Sequence, residues 1–262
     1  MRSLKKVVIP LILAGLLLSL CGCGSGSKRY RIVKTLEKQE YYIGFRNDDS
    51  VAYYVTGALK VLQADGTVTK LSPQWFGDDR AQFPSDADGL KSAGKISGRT
   101  LLIGVDENSY PVSFQENGQY TGFDVELAKA VCAKLGWQTK FISMQSRDPY
   151  VELSSGNVDV AWGGLALDGK STKYTVIGPY MENKVVIAAL SGTSGNMSGK
   201  TLVMSVSQDA MDALDANESI KNKFGKITRL TGDTSACFQS LDAGDCDMIV
   251  TDSTAVEYMN CH

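Results

Sequence analysis

The chain echoes itself, and that constrains its fold more than any other feature. KISGRTLLIGVDE begins at Lys95 and NMSGKTLVMSVSQ begins at Asn196; each runs from Ser-Gly-basic-Thr-Leu into a strand-like apolar stretch. A second echo pairs LSSGNVDVAWGG from Leu153 with LDAGDCDMIVTD from Leu241. Each reads as the end of a helix, a glycine stop, then an aspartate inside a β-rich run; glycine suits the stop because it tolerates positive φ. Two copies of strand, helix and strand predict two similar α/β lobes rather than one sheet.

The length of 262 residues, with 43% hydrophobic and 21% charged side chains, suits one large domain or two small lobes and excludes a disordered or fibrous chain. Residues 1–22 read as a secretory signal. Arg2, Lys5 and Lys6 precede the apolar run Val7–Leu20, too short to span a bilayer comfortably, and small residues follow it. Leu20–Cys23 (LCGC) also resembles a bacterial lipoprotein box, with Cys23 as the acylated residue and residues 23–28 as a flexible tether. Plain secretion, or a metal-binding cysteine pair, is the competing reading. Setting the first 22 residues aside removes three cations and no acid, which takes the formal charge from −2 to −5. That balance, without any Lys/Arg cluster, argues against a nucleic-acid partner.

Beyond the signal, Cys132, Cys237, Cys246 and Cys261 match no metal-ligand spacing, and His262 is the only histidine. No metal, no cofactor and no histidine-based triad is expected. Cys237 and Cys246 flank one turn; a disulfide and a pair of buried thiols both fit. TGFDVELAKAVCAKLGW predicts an amphipathic helix capped by Asp124 and ended by Gly136, and QDAMDALDAN predicts a helix just after a strand Thr201–Val206. Such strand-to-helix turns aim backbone N–H groups and side chains at one end of a sheet, where two facing lobes meet in a cleft. Arg80–Gly94 has linker composition and reads as a solvated connection; its DADG lacks the glutamate of a calcium loop.

From Thr100 onward, LLIGVDENSYPVSF, GQYTGFDVELAKAV, SSGNVDVAWGG, GPYMENKVVIAA, GKTLVMSVSQDAMDAL and DAGDCDMIVTDSTAVEYM occur in one order. In that order they resemble the extracellular solute-binding proteins of polar amino-acid ABC importers, family 3 type. Members of that family continue past the helix matched by STAVEYMNCH with a second crossover strand and a helical tail ending near Trp-Phe-Gly. Here such an ending, with QWFGDD closing at Asp79, stands before the rest. The resemblance therefore implies a circularly permuted, two-lobed periplasmic-binding-protein-like α/β fold with a hinged cleft. A fragment of a tandem pair is the competing explanation. The permuted order implies residues 29–41 in lobe 2, 42–79 on lobe 1, 80–94 as the permutation linker, 95–187 as the main part of lobe 1 and 188–262 as that of lobe 2. YYIGFR (Tyr41–Arg46) and the segment near Val185–Leu190 would be the crossing strands.

The resemblance also implies a ligand site. An amino acid needs a carboxylate for its ammonium and a cation or N–H cluster for its carboxylate. Asp252 falls on the family's ammonium anchor; capping the next helix is its other reading. The family's Thr-x-Thr-x-x-x-x-Arg is replaced, with Ala166 at the first Thr position and Ser171 at the Arg position. Lys170 or Arg147 would have to substitute, though a lysine lacks the guanidinium fork. Gly163 and Gly164 keep a close backbone approach, and Ser207 with Gln208 opens the second-lobe helix. Tyr110 is one position from the usual aromatic, Trp162 fits pocket or core, and Asp106 fits pocket or turn. The function implied is a monomeric lipoprotein on the extracytoplasmic face of a bacterial membrane, delivering a polar amino acid or related amine, cystine-like solutes included, to an ABC permease. The alternative is a sensing or interaction lipoprotein with a degenerate cleft. Dehydratase activity through Glu107 or Asp168 lacks the partner groups that acid–base chemistry needs.

Overall fold

The computed structural model describes residues 28–144, 149–231 and 234–262. Residues 1–22, read above as a secretory signal, and Cys23 lie outside them. The described chain opens with a long strand, β1 (Tyr30–Phe45), whose last five residues include the buried Tyr41, Ile43 and Phe45. Asp49 then accepts a hydrogen bond from the Val51 N–H and starts α1 (Ser50–Ala64). Val51, Val55, Ala58, Leu59 and Leu62 repeat at helical spacing and are buried. Gly66, at φ 80°, turns the chain into α2 (Thr67–Phe76), and Gly77 closes that helix at φ 75°.

The first α/β unit follows as β2 (Thr100–Val105), a small antiparallel sheet of β3 (Asn108–Ser109), β4 (Ser113–Glu116) and β5 (Gln119–Thr121), then α3 (Phe123–Leu135) and β6 (Gln138–Ser143). It ends with α4 (Pro149–Ser155) and β7 (Val160–Ala161). A second long strand, β8 (Thr175–Leu190), leads into the second unit: β9 (Thr201–Ser205), α5 (Gln208–Asp215), α6 (Glu218–Lys221), β10 (Lys226–Leu230), α7 (Thr234–Ala243), β11 (Met248–Asp252) and α8 (Ser253–Cys261).

Two cores and one continuous sheet result. The eight strands run β10-β9-β11-β8-β1-β7-β2-β6, with β1 and β8 antiparallel at the centre from Tyr30↔Leu190 to Phe45↔Thr175. The echo anticipated two α/β units; the long central pair joins them into a single sheet. One core gathers Ile43, Val55, Leu59, Leu101, Phe123, Leu127 and Trp162. On the far half of the sheet, Val185, Ile187, Leu202 and Val250 pack on one face, and Val186, Ala188, Val203, Phe238 and Ile249 on the other. Alternate residues of β8 thus serve opposite faces, as strand geometry requires.

The structure corrects three expectations and decides between two readings of a fourth feature. Tyr41 packs in the first core, and Val185–Ile187 already belong to the second, so the passage between cores lies near residues 38–40 and 182–184. A strand buried on both faces carries no sequence mark of where one core ends. Residues 80–94 are anchored rather than solvated at their start. Ala81 and Phe83 are buried, Phe83 stacks on Tyr180 at 5.3 Å between centroids, and the Gln82 N–H donates to the Tyr180 carbonyl. One aromatic among polar neighbours found an apolar slot. Of the two readings of Cys237 and Cys246, buried thiols hold: the two are not joined to each other, and Cys132 is likewise buried. Finally, Gly122 occupies the N-cap position of α3, and Asp124 points inward.

The two ends of the described chain meet. Asn260 on α8 accepts from the Tyr30 N–H at 2.8 Å and donates to the Tyr30 carbonyl at 3.0 Å. On the same side the halves touch through aromatic rings. Trp75 of α2 stacks on Tyr258 of α8 at 5.7 Å, and Tyr110 meets Tyr258 edge-on at 5.2 Å. Arg80 pairs with Glu257 beside them. Among the described residues no helix is long and apolar enough to cross a membrane.

Candidate functional site

A cleft of about 470 Å³ opens where the ends of β2, β6 and β7 face the start of α5, with β1 as its back. Its first-lobe wall is mostly apolar: Met144, Pro149, Leu165 and Leu167 line it beside Asp106. Its second-lobe wall is polar, made by Ser207, Gln208, Asp209 and Asp212 at the first turns of α5. Glu37 and Gln39 of β1 complete it.

Asp106 sits where β2 ends. Its N–H donates to the Gly163 carbonyl at 3.0 Å, and its carboxylate accepts from the Asn108 N–H at 2.9 Å. Burial pushes its pKa up, the Asn108 hydrogen bonds oppose the shift, and the charges of Asp209 and Glu107 add to it. The turn after β7 is shaped by its glycines. Gly164 adopts φ 65°, and a Cβ there would lie 2.2 Å from the Ser109 Cβ, so only glycine fits.

Asp124 holds that turn from inside. Its Oδ2 accepts from the Gly164 N–H at 3.0 Å and from the Tyr180 hydroxyl at 2.6 Å. Burial raises its pKa to about 6, against the pull of these two bonds and of the nearby Trp162 indole. The Trp162 Nε1 and the second Asp124 oxygen, both buried, have no hydrogen-bond partner among the described residues. An acid in the first turn of a helix ordinarily serves its N-terminus, so nothing in the sequence separated this one from a cap.

Asp252 closes β11 in the N-cap position of α8 but makes no capping bond. Its carboxylate accepts instead from the Asn183 side-chain amide at 2.7 Å. Burial raises its pKa to about 7; the Asn183 bond opposes the shift, and Asp209 and Asp106 reinforce it by repulsion. Asn183 is a junction on the crossing strand β8. It donates to the Gln39 side chain at 3.0 Å as well as to Asp252, and accepts from Ser253 at 3.3 Å and Thr254 at 3.4 Å. Gln39 in turn donates to Asp209 at 3.4 Å. A polar chain therefore runs from α5 through both crossing strands to the end of β11.

Of the residues singled out from the sequence, Asp106, Gly164, Ser207 and Gln208 line the cleft; Asp252 is half-buried and does not line it, reaching the lining residue Gln39 through Asn183. Gly163 lies just behind, at φ 137°. Trp162 is core, 1% exposed. Tyr110 packs on Phe114 and Tyr258 outside the cleft. Lys170 is exposed, its N–H bound to Asp168, and does not line the cleft. Arg147 lies outside the described residues. Sequence reasoning missed Asp124, Asn183, Gln39 and Asp209. A lone asparagine between Glu182 and Lys184 in an apolar strand was the available signal.

Residues 101–226 match the bacterial extracellular solute-binding proteins, family 3. A probable amino-acid-binding protein of Bacillus subtilis, YxeM, is 31% identical over 90 residues, 34% of this chain and 34% of its own. The match thus spans about a third of that relative. The L-cystine-binding protein TcyJ of Escherichia coli is 26% identical over 206 residues, covering 76% of this chain and 72% of its own. A solved ABC uptake transporter substrate-binding protein of Streptococcus pneumoniae, with bound histidine, is 27% identical. That match covers 61% of this chain and 68% of the other at a TM-score of 0.48. Over residues 101–226, just under half of its length, the chain is thus similar to the bacterial extracellular solute-binding proteins of family 3.

Proposed function

We propose that this protein is the solute receptor of an ABC importer. It captures a polar amino acid or related amine between its lobes and delivers it to a membrane permease, without catalysis. In this reading it works outside the cytoplasmic membrane, tethered by a lipid on Cys23. The observation that carries the proposal is the carboxylate-bearing cleft set against two crossing strands, within a chain whose residues 101–226 match the family. A cleft backed by only two strands can close by bending them. The relatives named for amino-acid and cystine binding support the solute class.

The order of the chain is, in the same reading, a circular permutation. Asn260 holding both polar groups of the Tyr30 backbone supports it, because β1 starts where α8 ends. A chain opened between Arg80 and Gly94, with His262 joined to Lys28, should then fold and bind as the present one does. Failure of that chain to fold would favour the tandem-fragment reading.

Thermal shift against the amino acids, cystine, small amines and dipeptides tests the receptor role. A ligand at one hundred times its Kd adds about 2.7 kcal/mol of stability. The shift should vanish in Asp252→Ala. The second reading, a sensing or interaction protein with a degenerate cleft, is favoured by one observation: the Gly164 N–H already bonds Asp124. A well-folded protein silent across the whole panel would select it.

A further inference from the structure

The receptor reading leaves the class of solute open, and the following rests on that reading. We infer that the cleft selects an aliphatic amine or guanidine that carries no carboxylate. An α-amino acid offers two opposite charges, and only one of them finds a complementary surface here.

The carboxylate pole has lost its donors. Ala166 replaces the first hydroxyl of the family's pattern and Ser171 its arginine. The Gly164 N–H, which faces the same wall, is held by Asp124. The remaining first-lobe wall is apolar at Met144, Leu165 and Leu167, and its other polar members, Asn108 and Ser143, carry no positive charge. The helix start on the opposite wall does not compensate. Its N–H groups favour anions, but Asp209 and Asp212 stand in its first turns and line the cleft themselves.

The cationic pole is enlarged. Glu37, Asp106, Asp209 and Asp212 line the cleft, Asp252 lies behind it and is joined to the lining residue Gln39 through Asn183, and among the described residues no lysine or arginine lines the cleft. Each of the five carboxylates has polar partners of its own, and a ligand feels their summed charge. Arg147 belongs to the segment between Met144 and Pro149, which both line the cleft. Its single positive charge, counted in full, still leaves the carboxylates in excess. The charge of Asp209 raises the proton affinity of both Asp106 and Asp252, Asp106 adds to that of Asp252, and an organic cation relieves the same repulsion. A bare metal ion is the poorer fit, because the described acids form no metal-binding group. An alkyl chain on the cation suits the apolar wall, and about 470 Å³ suits a small molecule.

Two matched pairs isolate the carboxylate: agmatine against arginine, and 1,5-diaminopentane against lysine. Calorimetric titration of the purified protein should show the decarboxylated member of at least one pair binding ten or more times tighter than its amino acid. That affinity should fall as salt rises. Asp209→Asn and Asp106→Asn, melting like the parent, should each weaken the amine and narrow the gap. Equal or tighter binding of arginine and lysine overturns the inference and leaves the receptor role standing. The same follows if none of the four binds while another amino acid does. Silence from every amine and amino acid overturns both.

Discussion

Each lobe holds one desolvated aspartate near the cleft, and the two are held differently. Asp124, in the first lobe, accepts from two donors and fixes a glycine turn and a crossing strand at once. Asp252, in the second, accepts from the single amide of Asn183 and faces the charges of Asp209 and Asp106. Both are desolvated, yet donors surround one and repulsion surrounds the other. The first arrangement suits a structural acid; the second leaves a carboxylate whose charge a ligand can still satisfy. The count of donors and of neighbouring charges, rather than burial alone, separates the two roles.

The largest test of this contrast is Asp124→Ala. It leaves the Gly164 N–H and the Tyr180 hydroxyl buried without an acceptor, and each such group costs about 1–3 kcal/mol. A loss of about 3 kcal/mol is expected in chemical denaturation. A loss below about 1 kcal/mol would break the contrast. Asp252→Asn should behave in the opposite way. It keeps the shape, relieves repulsion, and leaves melting near that of the parent at neutral pH, while ligand affinity drops about tenfold or more.

The pH dependence sharpens the contrast further. Both carboxyls titrate higher in the fold than their ordinary 3.8, at about 6 for Asp124 and about 7 for Asp252. Between about pH 4 and pH 7 the folded chain therefore keeps protons that the unfolded chain has lost. Stability should decline as pH rises across that window and level off above it. Asp252→Asn should remove the upper part of the decline. The groups facing Asp252 are Asn183 on β8, Tyr41 on β1, Asp209 on α5 and Asp106 after β2. Asp65, lowered by its Thr67 and Lys134 bonds, and Asp247, lowered by Lys200, act the other way. Their contribution is lost as pH falls below about 4. A melting temperature that rises steadily from pH 4 to pH 8 would contradict the scheme.

The smallest effect concerns the contact between lobes beyond the cleft. Tyr258→Leu removes the stack on Trp75 and the edge contact with Tyr110, worth about 0.5–1.5 kcal/mol. A modest fall in melting temperature is expected with no change in ligand preference. An altered preference would mean that α8, not the aspartates alone, sets the site.

Much of the frame was legible in the sequence because it obeys local rules. The apolar face of Phe123–Leu135, the helix after Ser207 and the reversal at Gly66 all follow from spacing and turn chemistry. The proposed permuted order rests on family resemblance alone, with Trp75–Gly77 resembling the end of a family tail. The site was less legible, since its determinants are long-range. Asp124 meets Gly164 and Tyr180 across 40 and 56 residues. Asn183 meets Gln39 and Asp252 across 144 and 69. A side chain's neighbours at such separations depend on how strands are ordered, and a single sequence states that order only weakly. Phe83 shows the same limit, as one buried ring in an otherwise polar stretch.

The central strand pair has a consequence for how the molecule comes into being. Among the described strands β1 comes first in the chain, yet its partner along the whole length is β8, with Tyr30 opposite Leu190. For most of the time the chain is growing, β1 has two open edges and no ladder to join. Contacts this distant in sequence form slowly, since a long loop must close before any bond rewards it. The charged run of Lys34, Glu37, Lys38 and Glu40 along the strand keeps it from pairing with another copy meanwhile. A strand that must wait for its partner has been given a sequence that can wait.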